Sequence, residues 1–303
     1  MDKTDTHIIS GYHALGTLWY IEVFDSVTEE KRREMKSYFE GMLSDFGKKY
    51  SRFYPKSLLN DLNYNKSIPY DDDLYQMVSL GETFYKETCG VFDLFIKKDL
   101  EKKGYGHVER DETVYVVDEA LPRIYTSQGY LYLNSDKQID LGGIGKGYCI
   151  DIIAQQLQEI FDVRYFLING GGDMYVTSDH NKPILLYLEH PTDATLSIGS
   201  VPLQNQSLCV SSSFKRSWNV GDTTHNHFIA SGNGTERHVI AASYVVGETA
   251  VVADVIATCM CIVAHSQEAV MSIADTYSVQ YCVINEEGNV MHSSLFSHVI
   301  QLR

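Results

Sequence analysis

Between residues 140 and 151 the chain reads DLGGIGKGYCID, four glycines and one lysine set between two aspartates. The run QIDL leading into it has strand character. After it, Cys149, Ile153, Leu157 and Ile160 recur at i, i+4, i+8 and i+11, the seam of a helix that begins near Gly147. A strand end, a glycine turn and a helix start therefore follow one another directly. This order limits the fold, because the first N–H groups of a helix find no partner within it and need one from outside. Glycines let backbone approach a ligand closely, so an anion beside Lys146 is one reading. A tight turn with a solvent-facing lysine is the other. The string matches neither the P-loop pattern nor the dinucleotide fingerprint.

The rest of the chain falls into blocks. TLWYIEVFD (17–25) alternates as a strand, and EEKRREMKSYFEGMLSDFGKKY (29–50) is a long amphipathic helix with Met35, Phe39, Met42 and Phe46 on one stripe. SRFYPKSLLNDLNYNKS (51–67) is rich in turn residues. DDDLYQMVSLGETFYKETCG (71–90) reads as a helix with acidic residues at its positive end and a stopping glycine. Short strands are expected at TVYVVD, RIYTS and YLYLN within 113–140, then at YFLING and DMYVTS, and strands dominate to about residue 246. Helices over about 249–264 and on to about 275 precede the terminal strands YCVIN and NVMHSS. Strands and helices in blocks, without strict alternation, predict an α+β fold of mixed strands with packed helices. No repeat, low-complexity tract or Pro/Ser-rich linker interrupts it, so residues 1–303 are expected to form one domain.

Composition removes several classes of function. Apolar residues at 44%, with 12% aromatics, suffice for a real core. The formal charge of −15 argues against binding nucleic acid or anionic lipid, so an anionic ligand would need local neutralisation by a metal, a lysine or backbone N–H groups. No stretch approaches the ~20 apolar residues of a membrane span. The opening MDKTDTHIIS carries no export pattern, and six cysteines without a C-x-x-C pair read as free thiols, so a cytoplasmic location is expected, with an exported mature form as the alternative.

Other stretches combine chemistry with awkward placement. TAVVADVIATCMCIV (249–263) is an apolar helix with one acid, and Asp254 and Thr258, four apart, share a face. Burying that carboxylate unpaired would cost on the order of several kcal/mol, so a hard cation such as magnesium suits the pair. A first-turn Asp facing solvent is the plain alternative. In NGGGDMYV (169–176) the glycines make a bend or admit a ligand. THNHFIASGNG (224–234) sets His225 and His227 two apart, which on a strand suits zinc, with no third ligand evident nearby. Phe53 and Tyr54 precede a proline, where aromatics either stack on a flat ring or pack in the core. Asp93 sits among apolar neighbours in CGVFDLF (89–95), as a ligand contact or as a cap or turn.

Taken in order, ALGTLWYIEV, SRFYPKSLLNDLN, GVFD, IDLGGIGKGYCID, INGGGDMYV, HFIASGNG and VVADVIATCM resemble the ApbE family, flavin transferases that use FAD to attach FMN to a protein. The resemblance implies a single ApbE-like domain and a magnesium-dependent FAD site. Matched by position, the metal ligands would be Asp254, Thr258 and the main-chain carbonyl of Gly143. FAD contacts would come from Leu15, Phe53, Val91, Phe92, Asp93, Asp140, Lys146, Ile229 and Ala257. His227 would help deprotonate a Thr or Ser hydroxyl of the acceptor protein, and AMP would leave. Leu15 stands where the family has methionine, Gly145 where alanine is commoner, and Ala230-Ser231 where Asp-Pro is usual. The last departure motivates a second reading, an FAD-binding protein or FAD pyrophosphatase without efficient transfer. A zinc hydrolase built on His225 and His227 is a third.

Overall fold

Along Thr17–Val23 the residues Trp19, Ile21 and Val23 are buried while those between them are not, the period of a strand with one covered face. The same alternation recurs through the structure, a computed structural model. It describes residues 6–106, 115–178, 182–193, 195–213, 242–285 and 287–298, and the backbone alone over 217–220 and 223–226. The strands are β1 (His7–Ala14), β2 (Thr17–Val23), β3 (Ser67–Pro69), β4 (Ile124–Ser127), β5 (Tyr130–Leu133), β6 (Phe166–Gly170), β7 (Asp173–Thr177) and β8 (Ile184–Glu189). They continue with β9 (Ser197–Leu203), β10 (Gln206–Ser212), β11 (Ser217–Val220), β12 (Thr223–Asn226), β13 (Ala242–Gly247), β14 (Gln280–Ile284) and β15 (Val290–His292). The helices are α1 (Glu29–Tyr50), α2 (Leu58–Asn65), α3 (Asp72–Glu87), α4 (Lys97–Lys102), α5 (Gly145–Glu159), α6 (Ala250–Val263) and α7 (Gln267–Tyr277). The α+β expectation holds. None of these helices is long and apolar enough to cross a membrane.

Two compact units emerge. The first comprises Met1–Ser44, Lys146–Arg216 and Val239–Arg303. Its sheet runs β1-β2-β6-β7-β10-β13-β14-β15, antiparallel at every pairing. One face carries Val176, Leu208, Tyr244, Val246 and Ile284, covered by Leu186, Leu188 and Val201 of the β8–β9 hairpin. With a period of two, the opposite face receives Asp173, Cys209, Ser211 and Ser243, and there α6 lies on β10 and β13. In α1, Met35, Phe39, Leu43 and Phe46 are buried; Leu43, rather than Met42, completes the stripe, as i, i+4, i+8, i+11 requires. Ile160 falls outside the expected α5 seam. The helix ends at Glu159, Asp162 adopts φ 46°, and Phe161 turns in against Phe39 instead.

The second unit comprises Asp45–Gly145 and Ser217–His238. Residues 51–67, read as turns, contain α2. Its Asn and Asp content masks it, since these residues are weak interior helix formers and strong caps. Ser57 caps it, accepting from the Asn60 N–H at 3.1 Å. The Asn63 side chain exchanges two hydrogen bonds with the backbone of Ile139, at 2.9 and 2.7 Å, and so fixes the extended run before Asp140. TVYVVD forms no strand over its described residues 115–118. In the first unit β1 was not expected, because Gly11 at φ 72° and two register shifts break its alternation.

Candidate functional site

In the first unit, the N-termini of α5 and α6 meet. A Cβ on Gly147 would lie 2.5 Å from the Ala250 carbonyl oxygen and 2.7 Å from the Val251 Cα, so only glycine permits this approach. Each helix then supplies a carboxylate to the other. Asp254 of α6 accepts the Gly147 N–H at 3.0 Å. Asp151 of α5 accepts the Ala250 and Val251 N–H groups at 2.8 and 2.9 Å. Thr249 caps the Val252 N–H at 3.4 Å. Orphan donors of both helix starts are thus answered.

Asp254 is buried, at 3% exposure, rather than facing solvent from the first turn. The Lys146 ammonium lies 3.5 Å from each of its oxygens and pairs closely with Asp173. Burial drives the Asp254 carboxyl above its usual range; Lys146 opposes the shift and the charge of Asp173 adds to it. Burial likewise raises Asp151 to about 6, against its two backbone N–H donors. One turn beyond Asp254, the Thr258 hydroxyl lies 3.2 Å from that of Ser211. The Cys209 thiol beneath is raised by burial and by Asp173 and Asp254, which keeps it protonated and inert. Leu15 occupies the two-residue turn joining β1 and β2 with φ 50°, a left-handed conformation that side chains rarely adopt.

The second unit holds another constellation. Arg52, 4% exposed, sets its Nε 2.5 Å from Asp140 Oδ2 and donates to the Tyr105 carbonyl at 2.6 Å. Its guanidinium stacks 4.4 Å from the Phe53 ring centre, and that ring is 55% exposed. The other oxygen of Asp140 accepts the Gly142 N–H at 2.7 Å. The buried ring of Phe92 lies against Gly143, where an added Cβ would be 3.2 Å away.

The profile of the ApbE family matches residues 15–283. The chain belongs to the ApbE family. It is 20% identical to the FAD:protein FMN transferase of Haemophilus influenzae, over 96% of this chain and 91% of that protein. It is 21% identical to the FAD:protein FMN transferase of Klebsiella pneumoniae, over 79% of this chain and 74% of that protein. The solved ApbE protein of Thermotoga maritima superposes with a TM-score of 0.79 at 19% identity, covering 96% of this chain and 98% of that one. The Vibrio cholerae flavin transferase ApbE gives 0.73 at 17% identity, covering 95% and 97%. These likenesses establish the ApbE fold.

Among the residues that the ApbE resemblance singles out, Lys146, Asp254, Thr258, Ala257 and Leu15 lie in the first unit. Ala257 is fully buried, and its carbonyl accepts from the Ser243 hydroxyl at 2.6 Å. Phe53, Val91, Phe92, Asp93, Asp140 and Gly143 lie in the second. There Asp93 closes a turn by accepting the Phe95 N–H at 2.9 Å, and Val91 is half-buried beside it. His227 and Ile229 fall outside the described residues, and of His225 the backbone alone is described, in β12. No group of three His, Cys, Asp or Glu arranged for a metal occurs among the described residues. Residue-by-residue reading missed Asp173, Asp151, Ser211 and Arg52. The only signal for Asp173, Asp151 and Arg52 in the sequence was membership of the strings NGGGD, GKGYCID and SRF, and Ser211 had none.

Proposed function

We propose that this ApbE chain is a transferase that moves the FMN part of FAD onto a threonine or serine hydroxyl of an acceptor protein, with Mg2+ as the cation and AMP as leaving group. The observation that carries the reading is the buried carboxylate of Asp254, set one helical turn from the Thr258 hydroxyl and beside Lys146. Carboxylate and hydroxyl oxygens are the donors a hard divalent cation takes, and the resemblance adds the Gly143 carbonyl. Charge favours the same conclusion: the carboxylates of Asp173 and Asp254 share one ammonium, Lys146, and a divalent ion at Asp254 would supply the further positive charge that lets both stay ionised.

Bound there, Mg2+ supplies charge neutralisation on the phosphate oxygens as bonds change. Lys146 adds a positive charge against the diphosphate. Asp151 and the Gly147 N–H hold Asp254 and its helix in place. The acceptor hydroxyl forms a new P–O bond at the FMN-side phosphorus, the diphosphate P–O bond breaks, and AMP carries off the electron pair. The hydroxyl proton goes to His227. Of the flavin contacts that the resemblance implies, Phe53 is an exposed ring and Leu15 a half-buried side chain.

Purified protein with FAD, Mg2+ and a threonine-bearing acceptor is expected to give a covalently fluorescent acceptor. Asp254→Ala is expected to abolish labelling while the far-UV circular dichroism stays unchanged. Labelling that survives at ordinary Mg2+ would remove Asp254 from the ligand set. The Ala230-Ser231 substitution favours a second reading, in which water replaces the acceptor hydroxyl. AMP release that is indifferent to added acceptor would select it.

The turn at Leu15 gives a separate test. A left-handed leucine is strained by roughly 1–2 kcal/mol, and asparagine tolerates the conformation. Leu15→Asn is expected to leave Tm level or raised and yet weaken FAD binding severalfold. A fall in Tm with FAD affinity intact would mean that Leu15 is retained for packing.

A further inference from the structure

The glycines of NGGGD have no part in the proposed reaction. In the structure it is the β6–β7 hairpin, with Gly170 paired to Asp173 and a two-residue turn between them. Gly171 and Gly172 take φ 76° and 102°, and the Gly172 N–H donates to the Asn169 side chain at 2.9 Å. A Cβ on Gly171 would lie 2.0 Å from the Thr17 hydroxyl, and one on Gly170 would lie 2.9 Å from the Trp19 ring. The turn is thus set against β2, and what it delivers to the helix side of the sheet is Asp173.

Asp173 is 1% exposed. One oxygen accepts the Val210 N–H at 3.0 Å, which fixes the carboxylate, and the other pairs with the Lys146 ammonium. Lys146 leaves the first turn of α5 between two glycines, so its neighbours in the chain offer its long side chain nothing to pack on. The carboxylates of Asp173 and Asp254 fix where its charge lies.

We propose that Asp173 is a positioning residue that holds the Lys146 ammonium where the diphosphate of FAD is received, and that the glycine turn before it serves to place it. This rests on the transferase reading above, which supplies the diphosphate. The inference has a sign that simple electrostatics does not share. A carboxylate beside a diphosphate repels it, so Coulomb's law alone says that removing the charge tightens binding. Positioning requires the opposite.

The experiment is a double-mutant cycle read by FAD binding, followed as quenching of flavin fluorescence in excess Mg2+, with no acceptor present. Asp173→Asn keeps the shape and the acceptor for Val210. It is expected to weaken FAD binding about tenfold in the wild-type background and less than about twofold in the Lys146→Met background. Unchanged or tighter binding in D173N overturns the proposal, as does equal weakening in both backgrounds. Should D173N fail to fold, Asp173→Ser in the same two backgrounds carries the comparison. Wild type that binds FAD with the expected pattern but labels no acceptor overturns the transferase reading and leaves the pairing standing. Wild type that binds no FAD overturns both.

Discussion

Gly147→Ala is expected to destabilise the protein by about 3 kcal/mol or more, the top of the range for overpacking or beyond, while Gly145→Ala stabilises it slightly. The two glycines lie two residues apart in one turn of α5, and their surroundings are opposite. At Gly147 the atoms in the way are backbone: the Ala250 carbonyl carbon and oxygen at 2.8 and 2.5 Å, and the Val251 Cα at 2.7 Å. Backbone cannot swing aside as a side chain can. Relief requires the starts of α5 and α6 to separate, and separation would break the Gly147–Asp254 hydrogen bond and both bonds to Asp151. At Gly145 the nearest atom to an added Cβ is the Leu141 Cβ, at 4.0 Å, and the conformation is helical. There alanine gains roughly 0.5–1 kcal/mol, because glycine loses more backbone freedom on folding. Urea unfolding of the two variants beside wild type measures both effects. Equal and small changes would mean that the helices are not held together as described.

What the sequence made legible was whatever repeats locally. The heptad-like spacing of α1, the acidic start of α3 and the single acid of α6 declare themselves within one element. So does the order glycines, then helix, around Lys146, although QIDL before them runs extended without pairing as the expected strand. Partners contributed by distant segments do not. Nothing near Asp254 in the sequence announces that Gly147 donates to it, nor does anything near Lys146 announce Asp173. Asp151 is the instructive case. It sits in the glycine string and could be noticed, but its work is done at the start of α6, where its oxygens take two N–H groups. Burial was inferable for Asp254 from its apolar neighbours. The compensation was not, because a charge on a sheet and a charge on a helix share no period.

Arg52→Ala is expected to cost about 3–5 kcal/mol, the range for breaking a buried ion pair from one side. Asp140 would keep one hydrogen bond, from Gly142 at 2.7 Å, and lose the guanidinium paired with it in a site 7% exposed. The guanidinium also donates to the Tyr105 carbonyl and lies 4.4 and 4.8 Å from the ring centres of Phe53 and Tyr105, so its removal withdraws the support under an exposed aromatic. Arg52→Lys keeps the charge and forfeits the planar stack and the second donor, and it should fall between alanine and wild type. The pair Arg52→Met with Asp140→Leu leaves no uncompensated charge and should recover most of the stability, since apolar replacements of buried pairs are near neutral. Recovery of stability need not bring recovery of binding. Without Asp140 the Gly142 N–H has no acceptor, the turn into Lys146 loosens, and FAD binding should remain impaired in the doubly substituted protein although urea unfolding returns toward wild type. Binding that returns along with stability would reduce Arg52 and Asp140 to a prop for the fold.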